Sequence, residues 1–393
     1  MREIDEKKEL ETWLLSSNPT PAAVQELDLT AFEHVIMNLE FRGSLFLGCE
    51  LSDATAGHIV RTGGLVILNN RDFLFQVHRA KLYSPKELFD GFDGQAEDGY
   101  KHTFDYKIYE KYVSHGMENP SSIAVSLMRR LHDHSITEAL NDIIDGRKVV
   151  AIMGGHSTER QDEFYLKVAK ISRILTRKGF LMVSGGGPGA MEATHMGAYF
   201  ACRPLEELVA AVDEIKIRPI NAEPGKEYAD KDWLNRALMI MKKYPIPKEK
   251  EGESMSIGVP TWLYGHEPPA PFATHIAKYF ANSVREDGLL TIAKYGVIFA
   301  PGSAGTTQEI FQDATQNHYA PYNKYDIPRY VSPMILFGKK WWTEKRPLWD
   351  FMKKVSEGRP YGELLSLTDN ESEIIETIVN YNPENYRFPV INS

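Results

Sequence analysis

Three short segments of the chain combine glycine with hydroxyl and acidic side chains in an order that suits the binding of an anion. They read GGHS from residue 154, SGGGPGAME from residue 184 and PGSAGTTQE from residue 301. Glycine lets a backbone approach an anion without a Cβ in the way, and hydroxyl groups in the first turn of a helix add donors. The third segment therefore predicts a phosphate-binding loop, whose candidate residues are Gly302, Ser303, Ala304, Gly305, Thr306 and Thr307.

The first two segments supply further candidates for substrate binding. Glycine in one strand-to-helix turn also has a purely steric explanation, but three such loops favour a ligand. Ser157 has the alternative role of capping the next helix, together with His156. For Glu192 the alternatives are a contact with the substrate and a solvated position. The candidates are Gly155, Ser157, Gly185, Gly186, Gly187, Gly189 and Glu192.

The elements around these loops predict an α/β fold. From residue 146 to the C-terminus, short apolar runs alternate with amphipathic helices, the pattern of a Rossmann-like, doubly wound parallel sheet. The charged, proline-punctuated stretch at about 203–253 is interpreted as an insertion. A helix from about Phe272 is expected to carry Arg285 toward its middle or end. The predicted strands are 149–153, 180–183, 257–259, 296–300, 334–337 and 365–367.

Residues 1–145 are interpreted as a separate accessory domain, a small α/β or α+β appendage. Strands are predicted at 44–49 and 65–68, a loop at 90–99 and a helix at 120–144. The run RRLHDH from Arg129 to His134 is interpreted as the surface of that helix, with a regulatory anion site as the alternative. The apolar residues expected on its buried side are Val125, Met128, Leu131 and Leu140.

Composition excludes several classes of function. The chain has 393 residues, is 42% hydrophobic and carries a net charge of −9 without a basic block, which argues against a nucleic-acid surface. Cys49 and Cys202 lie far apart, so neither a disulfide framework nor a zinc site is expected, and a reducing cytoplasm is the expected setting. The N-terminus is charged and no stretch is long and apolar enough to span a membrane.

Two common nucleotide motifs do not fit the glycine loops. A dinucleotide fingerprint requires G-x-G-x-x-G in the first turn, where this chain has GGHSTE, and an acid at the end of the second strand, where it has SGGG. A Walker motif requires a lysine, and no lysine follows Gly305. The ligand expected from the loops is therefore a mononucleotide.

The segments SGGGPGAME and PGSAGTTQE together resemble the LONELY GUY family, often mislabelled as lysine decarboxylases, whose hallmark is PGGxGTxxE. The resemblance covers about Val149 to Val379. The first 145 residues and the insertion are closer to the longer bacterial nucleosidases related to that family. The resemblance implies hydrolysis of nucleoside 5′-monophosphates to free base and ribose 5-phosphate, without a metal or organic cofactor, by a homodimer or larger homo-oligomer.

The same resemblance assigns the catalytic carboxylate to Glu309 and its partner to Arg285. A carboxylate near the ribose can stabilise an oxocarbenium-like transition state and orient the attacking water, while a guanidinium can pair with the phosphate or with the carboxylate. Two positions depart from the family pattern. Ser303 replaces the second glycine of the hallmark and Gln308 replaces a common second glutamate, which puts substrate preference and rate in question.

Other interpretations of these residues stay open at this point. Glu309 could only complement the helix dipole, and Arg285 could form a surface ion pair with its acidic neighbours. The chain as a whole could be a non-catalytic carrier of a nucleotide or a phosphorylated cofactor. Amino-acid decarboxylation is disfavoured, because no pyridoxal-binding lysine lies near the loops. Trp341 and Trp342 are interpreted as packing or subunit contacts rather than a stacking platform.

Overall fold

A computed structural model of the chain describes residues 1–16, 19–69, 73–120, 122–216, 225–322 and 329–388. By its internal contacts the chain divides into two units. The first contains Met1–Leu82 and Glu110–Ile143, and the second contains Tyr83–Tyr109 and Ile144–Ser393. The chain passes between the units three times, and the third passage, from Ile143 to Ile144, lies close to the boundary predicted at residue 145. Residues 83–109, predicted as part of the accessory domain, belong instead to the second unit.

Strands and helices alternate along most of the chain. The strands are β1 (Arg2–Ile4), β2 (Ala22–Gln25), β3 (Leu45–Leu47), β4 (Leu65–Ile67), β5 (Lys148–Met153), β6 (Phe180–Ser184), β7 (Ser256–Gly258), β8 (His275–Ile276), β9 (Val297–Phe299), β10 (Arg329–Tyr330), β11 (Met334–Phe337), β12 (Leu365–Thr368) and β13 (Arg387–Phe388). The α-helices are α1 (Lys7–Leu14), α2 (Glu33–Ile36), α3 (Asp53–Arg61), α4 (Pro85–Leu88), α5 (Phe104–Ser114), α6 (Ile123–Ile144), α7 (Glu163–Arg177), α8 (Ala190–Tyr199), α9 (Leu205–Ile215), α10 (Lys231–Lys243), α11 (Asn282–Ile292), α12 (Ala304–Tyr319), α13 (Trp349–Ser356) and α14 (Glu371–Asn380). Within the described ranges, no helix is both long and apolar enough to cross a membrane.

The first unit is an α/β layer structure. Strands β1 to β4 form a parallel sheet in sequential order, which settles the open choice between α/β and α+β for this part of the chain. Residues from the strands and from α1 and α3 share one apolar core, in which Trp13, Phe41 and Phe46 form a cluster of tilted and edge-on rings.

Helix α6 corrects in part the interpretation of the run Arg129–His134 as helix surface, which holds for the exposed Arg130 and His134 only. Arg129, His132 and Asp133 are buried, whereas of the apolar residues expected to be buried only Leu140 is fully so. The guanidinium of Arg129 donates to the Met117 carbonyl oxygen at 2.5 Å. Nδ1 of His132 lies 3.1 Å from the Asp133 carboxylate. Polar side chains can be buried when their hydrogen bonds are met inside the protein, and apolar periodicity does not reveal such pairs.

The second unit is built on a seven-stranded parallel sheet in the order β12-β11-β9-β5-β6-β7-β8. The chain enters at β5, extends the sheet through β6, β7 and β8, and then returns to β9 on the other side of β5. The predicted Rossmann-like, doubly wound sheet is confirmed by this order. Beyond the carboxyl ends of β5 and β9, where the winding reverses, such sheets bind their ligands.

The segment before α11 differs from the predicted helix. Phe272, Ile276 and Phe280 recur every four residues, a helical spacing, yet β8 lies between them and α11 begins only at Asn282. All three are buried, at 4% exposure or less. A short buried strand cannot be told from a buried helix by periodicity alone. Arg285 therefore lies in the first turn of α11, not toward the middle or end of a longer helix.

The stretch predicted as an insertion contributes to the core of the second unit. Helices α9 and α10 place Leu208, Val212, Ala237 and Ile240 in the same apolar cluster as the central strands. Pro219 and Pro224, which marked the stretch in the sequence, lie outside the described residues. The insertion is thus part of the fold of this unit wherever the structure describes it.

A buried polar network joins residues 83–109 to the loops after β7 and β8. The carboxylate of Asp105 has zero exposure. It accepts hydrogen bonds from the Lys278 ammonium at 2.7 Å and from the Trp262 indole N–H at 2.9 Å. The Tyr100 hydroxyl lies 2.8 Å from the same carboxylate and 3.1 Å from the Gly265 carbonyl oxygen. Every charge in the network is paired, as burial requires.

We expect Asp105→Asn to lower the free energy of unfolding by about 3 kcal/mol or more, because the Lys278 ammonium would stay buried without its counter-charge. Urea titration of the full chain measures the effect. Asp98→Asn is the matched control, since Asp98 forms an exposed pair with Lys101 at 3.0 Å and its loss should cost less than about 1 kcal/mol. Equal effects of the two substitutions would contradict this account of the network.

Candidate functional site

The three glycine segments meet beyond the carboxyl ends of β5, β6 and β9. The Gly155 N–H donates to the Pro301 carbonyl oxygen at 3.0 Å, and the Ala190 N–H donates to the Gly155 carbonyl oxygen at 3.2 Å. A Cβ added to Gly302 would lie 3.0 Å from the Gly155 nitrogen and 2.1 Å from Oγ1 of Thr306. Only glycine fits at position 302. We call this meeting point of the loops the switch-point site.

Helix α12 begins within the third segment, and no side chain caps its N-terminus. Ser303 precedes the helix, and its side chain makes no capping hydrogen bond. Ser303, Ala304 and Gly305 are exposed, and a Cβ on Gly305 would meet no atom within 4 Å. The first amide groups of a helix have no intrahelical acceptor and carry a positive partial charge. The end of α12 therefore has amide donors without an acceptor, and the binding of a phosphate there stays a prediction.

The loop after β6 packs closely against its neighbours. Gly186 and Gly189 both have φ of +72°, a conformation that favours glycine. A Cβ on Gly189 would lie 2.4 Å from the Gly155 carbonyl oxygen, and one on Gly185 would lie 2.3 Å from Nη2 of Arg285. These glycines thus have a packing role that does not depend on any ligand. Gly187, between them, lies near Glu267.

Arg285 and Glu309 come together at the switch-point site. Both are buried, with 8% and 9% exposure, and Nη1 of Arg285 lies 3.8 Å from Oε1 of Glu309. The remaining guanidinium nitrogens donate to the backbone: Nε to the Val259 carbonyl oxygen at 2.7 Å and Nη2 to that of Gly185 at 3.3 Å. The alternative of a surface ion pair for Arg285 is wrong, because its side chain points inward.

The surroundings of Glu309 favour its protonated form. Burial raises the pKa of this carboxyl group to about 7, with a further increase from Glu286 that the Arg285 guanidinium opposes. A carboxyl group with a pKa near neutrality can either accept or donate a proton under ordinary conditions. Position and protonation therefore distinguish Glu309 from an exposed acid that only complements a helix dipole.

Glutamine side chains on α12 form a ladder of hydrogen bonds with α11. The rungs are separated by four residues, so they lie on one face of α12. Gln308, which departs from the family hallmark, provides the first of them. The ladder connects the helix that carries Glu309 to the helix that carries Arg285. Its rungs are Gln308 to Glu286 at 2.9 Å, Gln312 to Asp287 at 3.1 Å and Gln316 to Thr291 at 3.3 Å.

Glu192 corrects a sequence prediction. It lies at zero exposure, and its carboxylate accepts two hydrogen bonds from Arg160, at 3.0 and 2.5 Å. The Arg160 guanidinium also stacks 4.4 Å from the Trp233 ring and donates to the Trp233 carbonyl oxygen at 2.9 Å. Glu192 is thus neither solvated nor placed to contact a substrate. The pair instead joins α8 to the insertion.

The alternative of a capping role for Ser157 and His156 is also wrong. Helix α7 begins after Asp162, whose carboxylate accepts the Phe164 N–H at 2.8 Å. Ser157 and His156 lie earlier in the loop and are exposed. The His156 ring packs edge-on against Tyr228, with centroids 6.1 Å apart.

Glu267 was not among the site residues predicted from the sequence. Its side chain is 15% exposed and lies 3.8 Å from Nδ1 of His156. Oε2 would lie 3.6 Å from a Cβ on Gly187. Burial raises the pKa of Glu267, against the effects of His266, a hydrogen bond from Tyr228 and Arg285. The only available signal was an acid in the proline-rich turn that follows β7.

The two tryptophans after β11 are packing residues, as predicted. The Trp341 indole N–H donates to the Gly302 carbonyl oxygen at 3.1 Å. The Trp342 indole N–H lies at similar distances from the carbonyl oxygens of Phe299 and Phe337, and its ring is fully buried. Trp341 therefore supports the third glycine loop from the side of β11.

The switch-point site combines an open helix N-terminus with two carboxyl groups, the buried Glu309 and the partly buried Glu267, and one guanidinium, Arg285. Such a set suits an anionic ligand at the helix end and proton transfer or charge stabilisation beside it. Across the part of the chain that the structure describes, no three His, Cys, Asp or Glu side chains are grouped so as to bind a metal ion.

Comparisons with known proteins give little beyond this geometry. No family model matches the chain. No curated protein matches it either. Among solved structures, the chain is similar to the molybdenum cofactor binding protein from the phototrophic bacterium Rippkaea orientalis, at 13% identity and a TM-score of 0.34, over 59% of this chain and 95% of that chain.

We expect the stability of the fold to fall as Glu309 ionises. Its pKa is raised by folding, from about 4.5 to about 7, so the folded state holds the proton longer than the unfolded state. The contribution is fully present below the lower value and is lost as the pH rises through the higher one. Relative to Glu309→Gln, which does not titrate, wild type should lose about 2 to 3 kcal/mol of unfolding free energy between about pH 5 and about pH 8.

Urea unfolding of the two proteins over that pH range measures the difference. Glu163→Gln is the control. The Glu163 side chain is 71% exposed and Glu309 is intact in this variant, so its unfolding free energy should follow that of wild type over the whole pH range. A difference between wild type and Glu309→Gln that stays constant with pH would contradict the inferred protonation.

Proposed function

We propose that this protein hydrolyses the N-glycosidic bond of nucleoside 5′-monophosphates to free base and ribose 5-phosphate. The observation that carries the proposal is the buried pair Glu309–Arg285, placed one helical turn from the open N-terminus of α12. A protein that only carries a nucleotide needs the helix end but not a buried carboxyl group beside it. The pairing therefore favours an enzyme.

In this proposal the 5′-phosphate binds at the start of α12. The amide groups of Ala304, Gly305 and Thr306 donate to its oxygens, and the helix dipole stabilises its charge. Thr306 and Thr307 add hydroxyl groups in the same turn. Because Glu309 lies on the same helix, the phosphate contact also sets the position of the ribose relative to its carboxyl group. Binding energy from the phosphate, which does not react, is thereby used to orient the ribose, which does.

The proposed bond cleavage builds positive charge at C1′ of the ribose. The ionised carboxylate of Glu309 stabilises that charge and orients the attacking water. Arg285 opposes the effect of burial and so keeps a larger fraction of Glu309 ionised. Since the ionised form acts, the contribution of Glu309 to the rate should rise with pH through about 7.

We further propose that the chain belongs to the LONELY GUY family and forms a homodimer or larger assembly in a reducing cytoplasm. The family proposal is supported by SGGGPGAME and PGSAGTTQE, whose loops contact each other through Gly155. The Gln308 departure has a local explanation in its hydrogen bond to Glu286. It leaves Glu309 and Arg285 in contact distance of each other.

Release of free base from a panel of nucleoside 5′-monophosphates tests the proposal. We expect wild type to cleave at least one of them, and Glu309→Ala and Arg285→Ala each to lower kcat by about 10² or more. The matching nucleosides without the phosphate should have a kcat/KM lower by about 10³ or more, because they lack the anchor at α12. Glu163→Ala, at the exposed start of α7, should leave both substrates unaffected.

Three results would contradict parts of this proposal. Cleavage of no nucleotide, with binding retained, would point to a carrier. Equal cleavage of nucleotide and nucleoside would contradict the proposed role of the phosphate as an anchor at α12. Full activity in Glu309→Ala would contradict the proposed role of the Glu309 carboxylate in bond cleavage.

A further inference from the structure

A second carboxyl group faces the same glycine loop as Arg285 and takes no part in the steps above. Arg285 lies against Gly185, and Oε2 of Glu267 would lie 3.6 Å from a Cβ on Gly187, two residues further along the loop. Glu309 lies on α12 and is connected to this loop through its ion pair with Arg285. Glu267 approaches it from the turn after β7. The loop is thus contacted by groups from two different elements.

The turn that carries Glu267 is held in place by buried groups. The Glu267 N–H donates to the Tyr264 carbonyl oxygen at 2.9 Å. The Tyr100 hydroxyl, fixed by the buried Asp105, lies 3.1 Å from the Gly265 carbonyl oxygen. A side chain on such a support keeps one position, which a residue acting in catalysis requires.

The surroundings of Glu267 suit a carboxyl group that releases a proton in each cycle. The side chain is 15% exposed, and burial raises its pKa. The Tyr228 hydroxyl donates to it and so stabilises the carboxylate left after proton release. The imidazoles of His156 and His266 lie 3.8 and 4.0 Å from Oε1.

The proposed hydrolysis needs such a proton donor. A base that leaves as an anion is a poor leaving group, and protonation of a ring nitrogen, such as N7 of a purine, makes it a neutral one. Enzymes that cleave glycosidic bonds commonly use two carboxyl groups, one as acid and the other as base or charge stabiliser. In the proposed hydrolysis Glu309 acts in its ionised form, so the acid role falls to another group.

We infer that Glu267 is the general acid that protonates the departing base, a purine or another base with a basic ring nitrogen; this assignment rests on the proposed function. The proton of Glu267 passes to the ring nitrogen while the C1′–N bond breaks and its electron pair moves to the base. Water adds to C1′ and gives its proton to the carboxylate of Glu309. That proton returns to Glu267 through water after the products leave.

A substrate that needs no protonation tests the assignment. In 4-nitrophenyl ribofuranoside 5-phosphate the leaving group is a stable anion, so a general acid is not required. For the best nucleotide of the panel, we expect Glu267→Gln to lower kcat by about 10² to 10⁴. With the nitrophenyl substrate, the same variant should keep kcat within about threefold of wild type. Glu309→Gln should lose activity toward both substrates, and Glu163→Gln toward neither.

The outcomes separate this inference from the function on which it rests. Equal losses on both substrates in Glu267→Gln, or no loss on the nucleotide, would overturn the role of Glu267 while leaving the nucleosidase in place. If wild type cleaves neither substrate, the proposed function fails and the assignment fails with it. Should circular dichroism show that Glu267→Gln is unfolded, Tyr228→Phe replaces it. That variant should show the same preference for the nitrophenyl substrate, with a smaller loss on the nucleotide.

Discussion

The arrangement of the second unit depends on the close approach of two backbones where the sheet reverses its winding. The loops after β5 and β9 touch through the hydrogen bond from Gly155 to the Pro301 carbonyl oxygen. Any side chain at position 302 would collide with Thr306 and with the Gly155 backbone. Because these loops meet without side chains between them, the N-terminus of α12 lies directly beyond β9. Its amide groups face the space where a doubly wound sheet binds its ligand.

Helix α12 then connects this backbone constraint to chemistry. Glu309 lies one turn beyond the open end of the helix, and the glutamine ladder holds α11 alongside, with Arg285 in its first turn. The guanidinium donates to the carbonyl oxygens of Val259 and Gly185, and these hydrogen bonds favour its position 3.8 Å from Glu309 over a shorter salt bridge. At 3.8 Å, the guanidinium opposes part of the increase in the pKa of Glu309 that burial causes, without cancelling it. Such a balance keeps both protonation states accessible near neutral pH.

Local patterns made the sheet and the glycine loops predictable. Strands buried on both faces appear as short apolar runs that end in glycine, and β5, β6 and β11 follow that pattern within one residue at either end. Contacts between distant residues were not predictable in this way. Arg160 pairs with Glu192 across 32 positions, and Glu267 owes its place to Tyr100 and Asp105, more than 160 positions earlier. A single sequence offers no periodicity for such pairs, so Glu192 was misassigned and Glu267 was missed.

A crystal structure of Glu309→Gln with a bound nucleoside 5′-monophosphate tests the central claim most directly. The substitution preserves the shape of the side chain while removing the proposed carboxylate, so the substrate should remain intact. Our account predicts the phosphate at the amide groups of Ala304 to Thr306 and C1′ of the ribose beside residue 309. A phosphate bound elsewhere, or a ribose turned away from residue 309, would contradict the proposed role of the switch-point site.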